Sequence, residues 1–155
     1  MSNWLSHAVS LSLIMFIAGI GIPIMATLNS GLGAQLKNPI AAAFVLFLLA
    51  LVITAVLMFM NPLPSNDQIM AIPARYYLGG FFVAFYVLSI TWIAPKIGLG
   101  NAIFLVLFGQ IVAAAIIDHY GLLYLPRTLL TADRFMGIGL MAIGLYLARK
   151  PPIDV

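Results

Sequence analysis

Few residues in this 155-residue chain are of a type that does chemistry, and their positions limit which chemistry that is. Asp118 and His119 put a carboxylate beside an imidazole at the end of an apolar run. Such a pair anchors and caps a helix at the bilayer surface, or relays protons, or contributes to a metal or hydrolytic site. Gln110 lies eight residues earlier, behind Gly109, where an amide brings two donors and two acceptors that need partners. It is either an interhelical hydrogen bond or a ligand facing a cavity. Asn29, at the end of the first apolar run, is either a helix cap or a second group on that cavity. Phe85, Ser89 and Trp92 recur at i, i+4 and i+7, with Tyr86 adjacent and three residues from Ser89. This face either packs against another helix or lines a pocket for an amphipathic or cationic molecule, because aromatic ring faces attract positive charge. Cysteine is absent, so disulfides, thiolate metal centres and cysteine nucleophiles are excluded. We therefore expect no enzyme, no cofactor and no resident metal.

The elements that must position these groups follow from composition. Hydrophobic residues make up 64% of the chain and charged ones 7%, against about 25% charged in a soluble domain. So little charge cannot cover a surface in water, which excludes soluble enzymes and nucleic-acid binders and predicts an all-α integral membrane protein. The net charge of +3 comes from seven basic and four acidic residues and marks no basic patch. No Lys or Arg precedes the first apolar run, unlike a cleavable signal. A helix needs roughly 20 apolar residues to cross the hydrocarbon core. Five stretches qualify, at about 8–28, 39–60, 76–94, 101–117 and 132–148, giving one five-helix domain over 1–155. The first is expected to stop at Asn29-Ser30-Gly31-Leu32-Gly33. The second starts at an Asn38 cap with Pro39 at the first helical position. A polar connection over 61–68 leads to the third, which Pro95-Lys96-Ile97-Gly98 closes. Asp118-His119-Tyr120-Gly121 ends the fourth, and Thr131 caps the fifth, which stops at Arg149-Lys150-Pro151-Pro152.

With five spans, Arg75, Arg127 and Arg134 share a side with the N-terminus, and Lys37, Lys96, Arg149 and Lys150 lie on the other. Lys/Arg asymmetry normally fixes orientation. Three against four is almost none, and we expect insertion both ways and an antiparallel homodimer, which rebuilds from two copies the inverted-repeat plan of many transporters. Gly137, Met141, Gly144 and Ala148 form one flat stripe on the last helix, suited to that contact. Gly19, Gly21 and Pro23 interrupt the first helix and permit a kink or gate. No ionisable group lies in the middle of any span, so movement down the substrate's own gradient is expected, without obligatory proton exchange. A membrane accessory subunit or a channel-like pore former is the alternative to a carrier.

The order of several short elements resembles a known family. Asn29-Ser30-Gly31-Leu32-Gly33 is followed by Leu78-Gly79-Gly80, Ala84-Phe85-Tyr86-Val87 and Ala94-Pro95-Lys96-Ile97-Gly98. Then come Gly109-Gln110, Asp118-His119-Tyr120-Gly121-Leu122, Pro126-Arg127 and the glycine-rich last helix. Over nearly the whole chain this looks like the YdcZ-type small inner-membrane proteins of bacteria, in the drug/metabolite transporter superfamily. The resemblance implies a five-helix unit equivalent to half of a ten-helix EamA-type transporter, paired with itself or with a paralogous subunit. It also implies small-molecule export in the bacterial inner membrane. Val83 stands where a further small residue would follow Gly79-Gly80.

Overall fold

A computed structural model describes residues 2–122 and 126–148, and every regular element among them is helical. The chain divides into two compact units, Met1–Pro95 and Lys96–Val155. In the first, α1 spans Ser2–Gln35, α2 Pro39–Phe59 and α3 Asn66–Met70; a 3-10 turn over Ala74–Leu78 then leads into α4, Gly79–Ile97. In the second, α5 covers Leu99–Tyr120 and α6 Ala132–Ala148.

The expected stop at Asn29 is wrong, because α1 continues through Gly31 and Gly33 to Gln35. The helix ends one and a half turns later on a residue the sequence does not advertise. Lys37 adopts a left-handed conformation with φ 49°. Its N–H donates to the Ala34 carbonyl at 3.2 Å, and the Asn38 N–H reaches back to Gly33 at 3.0 Å. This is the paired 6→1 and 5→2 closure that glycine usually supplies. Asn38 then caps α2 as expected, its side chain accepting from the N–H groups of Ile40 and Ala41, with Pro39 opening the helix. The turn brings small residues together. Ala26, Asn29 and Gly33 are buried on α1, and Ala42 and Ala43 on α2. A Cβ built on Gly33 would stand 3.4 Å from the Pro39 Cα and 3.6 Å from the Ala42 Cβ. Close helix approach in a membrane depends on such small residues.

The connection after α2 is more ordered than its polar composition suggests. Ser65 and Gln68 form a reciprocal capping box around α3. Pro95 does not end α4, which runs on to Ile97. In the last turn a proline costs one hydrogen bond rather than a helix, and the bond lost is the one to the Thr91 carbonyl. Val87, Ile90, Thr91 and Ala94 form the buried stripe of α4 at i, i+3, i+4 and i+7. Gly98, with φ 85°, separates α4 from α5. The fourth run likewise extends past its expected end, so Asp118, His119 and Tyr120 form the last turn of α5, and Gly121 closes it with φ 61°. α6 begins where expected, the Thr131 hydroxyl accepting from the Arg134 N–H at 3.3 Å. The expected stop at Arg149-Lys150-Pro151-Pro152 lies outside the described residues.

Among the described residues, four helical stretches are long and apolar enough to cross a membrane: Ser6–Gln35, Pro39–Phe59, Ala74–Ile97 and Leu99–Tyr120. Their large side chains, among them Phe16, Leu49 and Phe81, face outward. Such exposure belongs to a multi-pass membrane protein, where lipid covers what water would not. α6 is a helix of 17 residues, about 25 Å long and shorter than these four.

Candidate functional site

The site is built from the polar groups that the membrane helices keep inside. Asn29 and Thr91 are its centre, 4% and 2% exposed. The Asn29 amide Nδ2 donates to the Thr91 Oγ1 at 2.6 Å, tying α1 to α4 across 62 positions of sequence. Asn29 is therefore an interhelical group, not a cap. Gly33, one turn further along α1, makes room for the Thr91 methyl: a Cβ there would lie 3.3 Å from the Thr91 Cγ2.

Two further hydroxyls on these helices are buried without a hydrogen-bond partner, the Ser30 Oγ and the Tyr86 Oη. The expected aromatic face of α4 divides at this point. Phe85 and Trp92 are 65% and 56% exposed, whereas Tyr86 and Ser89 are half-buried. Tyr86 lies one turn before Ile90, at the edge of the buried stripe, whereas Ser89, two residues before Thr91, lies on the opposite side of the helix. Sequence alone singles out neither Thr91, which adjoins the larger Trp92, nor Ser30, which lies in a segment of helix-ending composition. The available signal was the buried amide itself: an asparagine in an apolar helix requires a polar partner on another one.

In the second unit Asp118 and His119 form a clasp. Asp118 Oδ2 pairs with the Arg134 guanidinium at 2.7 Å, both side chains about a third exposed. The Asp118 carbonyl accepts from the Thr128 N–H at 2.8 Å, and the His119 carbonyl from the Arg127 Nε at 3.0 Å. The His119 Nδ1 accepts from the Leu130 N–H at 3.1 Å, which puts the ring proton on Nε2. Every one of these bonds fixes the α5–α6 connection.

Gln110 stands on α5 eleven residues after Leu99 and ten before Tyr120. It is exposed, and its amide makes no hydrogen bond to a described residue. A cleft of about 400 Å³ opens between α5 and α6 on a different face, walled by Phe104, Phe108 and Leu145, with Asn101 and Tyr146 as its polar groups. Gly137 and Gly144 have no neighbour within 4 Å of an added Cβ, and Met141 and Ala148 beside them are exposed. The Gly-rich stripe is thus uncovered in the single chain. On α1, Gly19 and Gly21 are equally open, and the helix passes unbroken through Pro23.

A family model described as "Putative inner membrane exporter, YdcZ" matches residues 10–147. No curated protein and no solved structure matches the chain.

Proposed function

Because the chain belongs to the YdcZ family of inner-membrane exporters, we propose that it exports a small metabolite or an amphipathic or cationic compound through a site between two copies inserted in opposite directions. The observation that carries this reading is Gln110. An uncovered amide halfway along a membrane helix costs several kcal/mol against hydrocarbon, so the working protein covers it with a second copy, a substrate or both. A mid-helix residue keeps its depth when the chain is inverted, so two antiparallel copies bring their Gln110 side chains to one level. The uncovered Gly137–Gly144 stripe supplies a close-packing surface for the contact, and the nearly equal basic counts of the two sides permit both insertions. α6 completes the fifth span in this arrangement, and the pair forms an inverted-repeat, EamA-like transporter of the bacterial inner membrane, with itself or a paralogous chain as partner.

The substrate-binding residues of the first unit are Asn29, Tyr86, Ser89, Phe85 and Trp92, and that of the second unit is Gln110. Gly19, Gly21 and Pro23 let α1 bend. Asp118 and His119 serve structure, so export runs down the substrate gradient without a mandatory proton. Saturable flux into proteoliposomes, measured with and without imposed pH and Na⁺ gradients, tests the reading. Flux that saturates and ignores both gradients supports it. Unsaturable flux at channel rates, or none, favours a pore former or an accessory subunit instead.

A further inference from the structure

The unpartnered hydroxyls of Ser30 and Tyr86 are costly where they stand. A buried hydroxyl that gives up water without a replacement destabilises a fold, and this chain has a ready remedy that it uses elsewhere. Ser10, Thr27 and Thr54 each donate to the carbonyl four residues back at 2.8 Å. Ser30, on the same helix as two of them, does not. Tyr86 is in the same condition although a phenylalanine would fill its place without a polar atom. Between them lies the Asn29–Thr91 bond, which is satisfied and rigid, and Pro95 removes the N–H that would have reached the Thr91 carbonyl. Tyr86 precedes Thr91 by five residues, about 7.5 Å along α4, whereas Ser30 directly follows Asn29. The backbones of Ser30 and Tyr86 therefore lie on either side of a fixed point. No charged residue lies on α1, or on α4 before Lys96.

We infer that the α1–α4 face is a binding site for an uncharged, hydroxyl-bearing solute, shown here occluded, in which Ser30 and Tyr86 exchange hydrogen bonds with the solute and the Asn29–Thr91 pair holds the two helices in register. The inference rests on the transport reading and narrows its substrate class from metabolites and cations to neutral polyols. A charged solute would find no counter-ion here and would lose its hydration. A polyol offers several hydroxyls, each able to donate and accept, which can exchange hydrogen bonds with both protein hydroxyls. Bending of α1 at Gly19–Pro23 opens the face.

The absence of cysteine makes a direct test possible. Ser30→Cys is the single thiol in an otherwise native chain, reconstituted in liposomes and treated with N-ethylmaleimide, which reacts where water reaches. The probes are D-ribitol as the neutral polyol and tetraphenylphosphonium as the cation; Asp67→Cys, exposed on α3 outside the membrane-spanning helices, is the control. Ribitol is expected to slow labelling of Ser30→Cys at least fivefold, to leave Asp67→Cys unchanged, and to be matched by no effect of tetraphenylphosphonium. Adding Tyr86→Phe should raise the half-protecting ribitol concentration about three- to tenfold, the worth of one hydrogen bond. In the otherwise native chain, Ser30→Ala and Tyr86→Phe should each unfold at a temperature no lower than the parent, since each removes an unsatisfied group. Inert Ser30→Cys, labelling that ribitol does not slow, or protection unchanged by Tyr86→Phe overturns the inference. If Ser30→Cys does not assemble, loss of ribitol flux in Ser30→Ala decides in its favour and unchanged flux against it. Protection without flux leaves the site standing and sinks the transport reading; flux of tetraphenylphosphonium without protection does the reverse.

Discussion

Thr91→Val should show how much the α1–α4 junction depends on one hydrogen bond. Valine keeps the methyl that packs on Gly33 and removes the oxygen that accepts from Asn29. Two effects add. The bond itself is worth about 0.6 kcal/mol on average between membrane helices, with an upper range of about 1.7. An amide left buried at 4% exposure without a partner costs roughly 1–3 kcal/mol. The second effect is the larger, because the helices are held too closely for water or lipid to reach Asn29. We expect a loss of about 1–3 kcal/mol, which at roughly 2–4 °C per kcal/mol for a chain of this size lowers the unfolding temperature by about 2–12 °C. Thr91→Ser keeps the oxygen and should lose less than about 1 kcal/mol, the worth of a methyl group. The assay is thermal unfolding in detergent followed by circular dichroism, with the fluorescence of the neighbouring Trp92 as a local reporter. In the double variant Asn29→Leu/Thr91→Val the stranded amide disappears, so the two losses should fail to add by about 1 kcal/mol. Native stability for Thr91→Val, or strict additivity in the cycle, would refute the reasoning.

Glycine positions separate packing from hinge. Gly19→Ala and Gly21→Ala meet nothing within 4 Å and should stabilise α1 by about 0.5–1 kcal/mol, while slowing flux if the bend is used; unfolding temperature and initial flux rates read the two effects. Gly33→Ala meets Thr91 at 3.3 Å and Pro39 backbone at 3.4 Å, so overpacking of about 1–3 kcal/mol outweighs the helix gain of about 1 kcal/mol, and its unfolding temperature should fall. Asp118→Asn removes a partly exposed ion pair and should cost no more than about 1 kcal/mol, with flux under a pH gradient unchanged; abolished uphill accumulation in this variant would return Asp118 to a coupling role. Gln110→Leu should assemble normally, as cross-linking would show, and lose substrate binding.

The membrane class and the starts of α2 and α6 were legible because they rest on local chemistry. Asn38-Pro39 and Thr131 act as caps through bonds within three residues, and a shortage of charge needs no tertiary knowledge. Helix ends were less legible. Asn29, Gly31 and Gly33 look like a stop to local propensity, but the packing of Asn29 against α4 and of Gly33 against α2 and α4 keeps the segment helical, and the left-handed closing residue is a lysine. Asp118 and His119 attracted attention as the pair that could do acid–base chemistry, yet their partners, Thr128, Leu130 and Arg134, lie across a loop whose folding no spacing rule predicts. Thr91 escaped notice for the opposite reason: a threonine in a helix satisfies itself by default, and only the helix opposite shows that its oxygen is needed elsewhere.

The central claim, two copies inserted in opposite directions, is tested most directly by locating the C-terminus of the native sequence. Fusions to alkaline phosphatase and to green fluorescent protein report the two sides of the inner membrane separately. Both reporters should be active at comparable levels, and two lysines added to one side should shift the ratio toward a single orientation and reduce export. Activity from one side only, with the native charges in place, would contradict the account.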